Sequence, residues 1–199
     1  QAIEPQIPLV KVSSIIKRNI NAKIESQGII LPKDEIVIIA EVNAKVEWIS
    51  EKMKSGSSFY KGDTLVKLDK RDYELALISA KSNILNAKVN LDREQAEFDL
   101  ANKEWDRLGS GIASDLALRK PQMAQARSIW GASKAALEQA QRNLDRTIII
   151  APFDGRVRSE NISIGSSLFS GKSIAQIYST ESYEIRLPIS DKDIFFTGL

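Results

Sequence analysis

"GSSFYKGDTLVKL" occupies Gly56–Leu68, and "GSSLFSGKSIAQI" occupies Gly165–Ile177. The second phrase repeats the first 109 residues later (165 − 56). Both open on Gly-Ser-Ser, and both carry a second glycine six residues on, at Gly62 and Gly171. Apolar positions coincide too: Phe59 with Leu168, Tyr60 with Phe169, Leu65 with Ile174, and Leu68 with Ile177. Upstream lie "IVIIAEVNAKVEWIS" and "TIIIAPFDGRVRSENISI". Both runs are rich in β-branched residues and broken by Asp, Asn and Gly, the pattern of short strands and turns. The four glycines fall where tight turns need a positive φ. Val46 and Val157 take equivalent places. The next glycine follows after ten residues in the first copy and eight in the second. That difference reads as a two-residue loop extension around "EKMK" (Glu51–Lys54). Neither half has enough apolar surface to stand alone, so the two are expected to face each other as one small β-sandwich.

Residues 70–147 separate the halves and carry a different period. Leu77, Ala80, Ile84, Ala87, Leu91, Glu94, Phe98, Ala101, Trp105 and Leu108 alternate three and four apart, and nine of the ten are apolar. Leu116, Arg119, Met123, Ala126, Trp130, Ser133, Leu137, Ala140, Leu144 and Thr147 do the same, with seven apolar. These are heptad seams on two helices. The short link "GSGIAS" (Gly109–Ser114) makes the helices antiparallel. Folding the chain about Ile112 pairs positions whose numbers sum to 224. Ile84 then faces Ala140, Phe98 faces Ala126, Glu94 faces Trp130, and Trp105 meets Arg119 as a cation–π pair. Large mostly opposes small, which keeps helix separation constant. A helix over 73–108 reaches ~54 Å. Pro121 either kinks the second helix or marks its true start after a turn at 114–120.

Composition narrows the chemistry. The chain has 199 residues, is 43% hydrophobic and carries a net charge of +2 from dispersed Lys and Arg, so nucleic acid is not an expected partner. It has no His and no Cys, which excludes Cys/His metal sites, thiol chemistry and His-based triads within it. Carboxylates such as Asp69, Asp72 and Asp154 are scattered, and Asp154–Gly155 reads as a turn, so no enzyme activity is expected. No apolar run approaches the ~18 residues of a membrane span. An anchor or signal peptide would lie upstream of Gln1. Residues 7–39 and 182–199 read as strands with turns at Gly28, Pro32 and Ser190–Asp191, too few to close a barrel. The chain is therefore expected to be a piece of a longer protein.

The two β-halves resemble the biotinyl/lipoyl carrier fold. That family holds its cofactor on a lysine at the turn joining the halves. Here that junction holds "DKRDYE", and "EKMK" lies inside the first half, where a solvated charged loop is expected. No cofactor is expected on any lysine. A wider resemblance rests on "APFDGRV" (Ala151–Val157) with Gly165-x-x-Leu168, on "GDTLVKLDKRDYELAL", on "RLGSGIASDLALRKPQMAQA" and on "YEIRLPISDKDI". These are similar to the periplasmic adaptor (membrane fusion) proteins of RND-type tripartite efflux pumps, from about residue 20 to Leu199.

The resemblance implies an α+β fold, a lipoyl-like β-sandwich interrupted by a long antiparallel coiled-coil α-hairpin, with part of a β-barrel. Residues 1–35 would belong to the barrel or membrane-proximal region, 36–69 to the first lipoyl half, 70–147 to the hairpin, 148–180 to the second half and 181–199 to returning barrel strands. The implied partners are an inner-membrane RND transporter and a TolC-type outer-membrane channel, with self-association in a hexameric ring. The implied place is the periplasm of a Gram-negative-type cell, anchored to the inner membrane by an upstream segment. An ABC-type exporter or type I secretion system is the alternative partner, disfavoured by "RLPISDKD". A cofactor carrier in an enzyme complex is disfavoured by the junction. The family's tip pattern, Arg-x3-Leu-x6-Ser, falls on Lys103, Arg107 and Ser114. Leu108 and Ile112 are candidate apolar anchors for the channel. Ser114 also reads as a helix N-cap, and both roles are compatible.

Overall fold

The computed structural model describes residues 10–18, 23–108, 111–190 and 194. Part of the expected tip loop (Gly109 and Ser110) and Asp191 of the expected turn lie outside the described residues. The chain divides into two compact units, Gln1–Leu31 with Ile185–Leu199, and Pro32–Glu184. In chain order the elements are β1 (Ile29–Pro32), β2 (Glu35–Ile39), β3 (Ala44–Ile49), β4 (Ser58–Phe59), β5 (Thr64–Leu68), α1 (Arg71–Leu108), α2 (Lys120–Asp145), β6 (Ile148–Ile150), β7 (Gly155–Glu160), β8 (Ser167–Leu168), β9 (Ser173–Ser179) and β10 (Tyr183–Arg186). β1 and β10 pair as a two-stranded ribbon.

The repeat becomes a sandwich of two four-stranded sheets, ordered β2-β9-β7-β4 and β6-β5-β3-β8. The second order is the first under exchange of the two sequence halves. Hydrogen bonds obey the same exchange. Gly56 N–H donates to the Val157 carbonyl at 2.8 Å, and Gly165 N–H donates to the Val46 carbonyl at 2.8 Å. Val46 pairs with Leu68 across β3 and β5, as Val157 pairs with Ile177 across β7 and β9. Each half lends its short strand, β4 or β8, to the other half's sheet, which is why neither half closes a core alone. Gly56 and Gly165 adopt φ of +83° and +86°, and Gly62 and Gly171 also have positive φ, as the turn reading requires.

The core carries Val46, Phe59, Leu65 and Leu68 from one half and Val157, Leu168, Ile174 and Ile177 from the other. Tyr60 and Phe169, paired in the repeat, are both exposed. The extension around "EKMK" forms a one-turn 3-10 helix, Glu51–Met53, capped by Ser50. The expectation of a solvated charged loop needs correction here, because Met53 is 0% exposed and plugs the sandwich. Glu51, Lys52 and Lys54 do face solvent.

Of the ten predicted seam positions on α1, Leu77, Ala80 and Ala87 are buried, six are half-buried and only Leu108 is exposed. The second seam behaves alike: Ala126 and Thr147 are buried, seven positions are half-buried and Leu116 is exposed. The helical stripes therefore meet. Their roots are tied to the sandwich: Leu68 N–H donates to the Thr147 carbonyl at 2.8 Å, and the Tyr73 hydroxyl donates to the Asn43 carbonyl at 2.9 Å. The expected register does not hold. Leu68 with Thr147 at the root and Glu94 with Arg119 farther out, joined at 2.7 Å, give sums of 215 and 213 rather than 224. The reason is an asymmetric connection. α1 runs on to Leu108, but α2 starts only at Lys120, with Pro121 in its first turn and Arg119 before it at φ +57°. Of the two readings of Pro121, a true helix start after a short turn is the one found. Proline in the first turn loses no helical hydrogen bond, whereas farther in it would.

Candidate functional site at the hairpin tip

α1 has 38 residues, a rise of ~57 Å at 1.5 Å each. The arm's free end is therefore the part of this unit best placed to meet a distant partner. The loop there is folded back by local bonds. The Trp105 indole N–H donates to the Gly111 carbonyl at 3.4 Å. Ser114 Oγ accepts the Ala117 N–H at 3.2 Å, and its carbonyl accepts the Leu118 N–H at 3.1 Å. Ser114 is thus the cap of the short turn before α2 rather than of α2 itself, and its side chain remains exposed.

Lys103 and Arg107 stand one turn apart on the exposed face of α1. Among the described residues neither has an ion-pair partner. Leu108 is 77% exposed and Ile112 is 101% exposed. The five predicted tip residues are thus all presented to solvent at one end of the arm. The other two basic residues near the tip are committed within the chain: Lys120 pairs with Asp115 at 2.7 Å, and Arg119 with Glu94.

Glu94 to Arg119 is the feature that residue spacing misassigned, because the expected cation–π layer gave Arg119 to Trp105. Glu94 was the one charged residue in α1's apolar seam, and a shielded charge requires an opposite one. Its carboxylate is 13% exposed, and the hydrogen bond from Arg119 holds it below the usual carboxylate range. The same bond pushes the Arg119 guanidinium up. Among the described residues, Arg119 Nε and Gln122 Oε1 are buried without hydrogen-bond partners. The pair ties the break before α2 to the shaft of α1 and so fixes how the tip is carried.

Elsewhere the carboxylates singled out in the sequence serve local structure. Asp69 binds the Arg71 guanidinium and accepts the Arg71 N–H at 3.1 Å, opening α1. Asp154 accepts the Lys61 N–H at 2.6 Å in a turn. Among the described residues there is no cluster of three or more metal-capable side chains, and no helix is long and apolar enough to cross a membrane.

No family model matches the chain. Over 139 residues it is 30% identical to the multidrug resistance protein MexA of Pseudomonas aeruginosa, covering 69% of this chain and 32% of that protein. Over 163 residues it is 26% identical to the multidrug resistance protein MdtA of Cronobacter turicensis, covering 80% and 38%. The chain spans between a third and about two fifths of the length of these curated relatives. Among solved structures it is similar to a MacA–MexA chimera containing the MexA α-hairpin domain, with a TM-score of 0.61, 27% identity, and coverage of 84% of this chain and 56% of that one. The membrane fusion protein Spr0693 of Streptococcus pneumoniae shares the fold, with a TM-score of 0.59 at 20% identity, covering 84% and 69%.

Proposed function

The chain belongs to the membrane fusion, or periplasmic adaptor, protein family, and on that premise we propose that it bridges an inner-membrane RND transporter to a TolC-type outer-membrane channel. Its place in this reading is the periplasm, and its role is mechanical coupling rather than catalysis. The observation that carries the reading is the arm: a long helical hairpin rooted in a lipoyl-like sandwich and ending in an exposed basic and apolar tip. Lys103, Arg107, Leu108, Ile112 and Ser114 are the proposed channel contacts. Lys103 and Arg107 supply positive charge that no other described residue pairs with, and Leu108 and Ile112 supply apolar anchors. One such tip is a small surface, so several copies acting together are needed for a firm hold. The choice of RND over ABC transporter rests on the similarity of "YEIRLPISDKDI" to RND adaptors.

Arg107→Glu reverses the charge at that position without touching a seam position. In cells carrying the full-length protein it is expected to abolish drug resistance while the transporter still co-purifies. Wild-type resistance from this variant would remove the tip from the docking surface. An ATP-binding permease co-purifying in place of a twelve-helix one would overturn the RND assignment.

A further inference from the structure

Three local exceptions of this chain gather at one residue. Among the described residues Arg119 is the one non-glycine with a positive φ, at +57°. Its ion-pair partner Glu94 is 13% exposed, the most shielded carboxylate of any described ion pair. Arg119 Nε and Gln122 Oε1 are the side-chain atoms buried without a hydrogen-bond partner among the described residues. Each feature lowers stability: left-handed backbone under a residue with a Cβ, charge drawn out of water, and polar atoms left unpaired. The seam requires none of them. Apolar residues at positions 94 and 119 would continue its two stripes, and such exchanges of a buried ion pair are often neutral or stabilising. Strain gathered at one place, and held there by its surroundings, points to a function for that place.

Arg119 is the joint between the tip connection and α2. Its N–H donates to the Leu116 carbonyl at 3.1 Å, closing the turn, and its carbonyl accepts the Met123 N–H at 3.1 Å, opening the helix. α1 runs fourteen residues (108 − 94) past Glu94, or ~21 Å. α2 does not accompany it there, since α2 starts at Lys120. The connection returns along it instead: the Trp105 indole meets the Gly111 carbonyl at 3.4 Å, and Ala113 and Leu118 are half-buried. Among the described residues, that bond and the Glu94–Arg119 pair are the polar ties between the connection and α1. The Trp105 tie is long and ends on an exposed glycine. The ion pair, at 2.7 Å, is short, charge-assisted and shielded, so it is the stronger of the two. Arg93 stands 3.6 Å from the same carboxylate but is 67% exposed and adds little.

We propose that Glu94 and Arg119 are positioning residues of the tip, retained to hold the 111–119 connection in one orientation on α1 rather than to stabilise the hairpin. Ile112 and Ser114 lie in that connection and have no helix of their own to place them. The clasp touches no partner itself; it sets where those two residues stand. This inference rests on the channel-docking reading for its biological setting. It adds that docking depends on two shielded residues behind the exposed tip, and that docking and stability can be separated by substitution.

The test exchanges the pair for apolar residues of similar size in the full-length protein, Glu94→Leu with Arg119→Met. Helicity is expected to be unchanged and the melting temperature equal or higher. The chain has no cysteine, so spin labels on Ser82→Cys and Ala117→Cys, both exposed, read the distance from the shaft of α1 to the connection. One narrow distance is expected with the native pair, and a broad or displaced distribution with the exchanged pair. A connection that keeps its native orientation for about a tenth of the time docks about tenfold more weakly. Adducts between a photo-reactive residue at Ile112 and the channel are expected to fall accordingly, and drug resistance with them. Arg119→Lys keeps a cation for Glu94 and omits the Nε atom; it is expected to keep the narrow distance, the adducts and resistance. An unchanged distance distribution in the exchanged pair would overturn the proposal. So would intact adducts and resistance beside a displaced connection, or a melting temperature that falls in step with docking. Absence of channel adducts from the wild-type tip, with the distance still dependent on the pair, leaves the positioning standing and removes the bridging role.

Discussion

Met53 shows how one residue can contradict the character of its neighbourhood. It lies between charged residues in "EKMK", yet it is fully buried beneath the sandwich. Met53→Ala is expected to cost about 2–5 kcal/mol and Met53→Leu less than about 1.5 kcal/mol, read by chemical denaturation. A solvated loop would give no loss for either. Two glycines make a second contrast. A Cβ at Gly155 would stand 2.2 Å from the Tyr178 carbonyl oxygen, inside the β7–β9 pairing. Gly155→Ala is therefore expected to lower the melting temperature sharply, while Gly131→Ala, exposed in mid-α2 with open space where its Cβ would stand, raises it. Asp69 and Glu94, with Asp63, contribute to the acid limb of stability. Hydrogen bonds from Arg71 lower the Asp69 pKa from 3.8 to about 2, and Arg119 lowers that of Glu94 from 4.5. Folded pKa values below the unfolded ones mean that this stabilisation is complete above about pH 4.5. It is lost as pH falls, the Asp69 part between 3.8 and about 2. Asp69→Ala is expected to melt earlier than wild type at pH 6 and no differently at pH 1.5. An equal difference at both values would refute the assignment.

At the level of elements, the hairpin separates what periodicity can reveal from what it cannot. The three-and-four spacing placed nearly every seam residue correctly, because helical geometry and burial depend on local sequence. The register did not follow, because it depends on where α2 begins. That start is set by Pro121 and by the left-handed turn at Arg119, a conformation that spacing does not encode. Symmetry about Ile112 was the natural assumption, and an eleven-residue connection between Leu108 and Lys120 broke it. The sandwich was more legible, since its halves repeat: Val46 and Val157, or Leu68 and Ile177, were placed by matching one half to the other. The packing of α2 gives a further test. Ala126 is 2% exposed in the seam, and Ala126→Leu is expected to overpack its layer at a cost of about 1–3 kcal/mol. A thermal melt unchanged by that substitution would mean that the helices are not in close contact there.

For the molecule as a whole, the account is one of division of labour. The two-fold sandwich is a rigid root, and the arm carries a small exposed surface ~57 Å along α1. That Lys103 and Arg107 stand exposed near the end of α1 was legible from their place in the helical pattern. Withdrawal of Arg119 and Lys120 into internal pairs was not, since it depends on the helix break. The central claim is that this tip meets the outer-membrane channel. Ile112 is fully exposed and outside both helices, so a photo-reactive amino acid there leaves the fold undisturbed. Irradiation of cells carrying that variant of the full-length protein, with adducts identified by mass spectrometry, tests the claim most directly. The account predicts an adduct with the TolC-type channel, lost in the Arg107→Glu background. Adducts with the transporter alone, or none to the channel while efflux is intact, would contradict it.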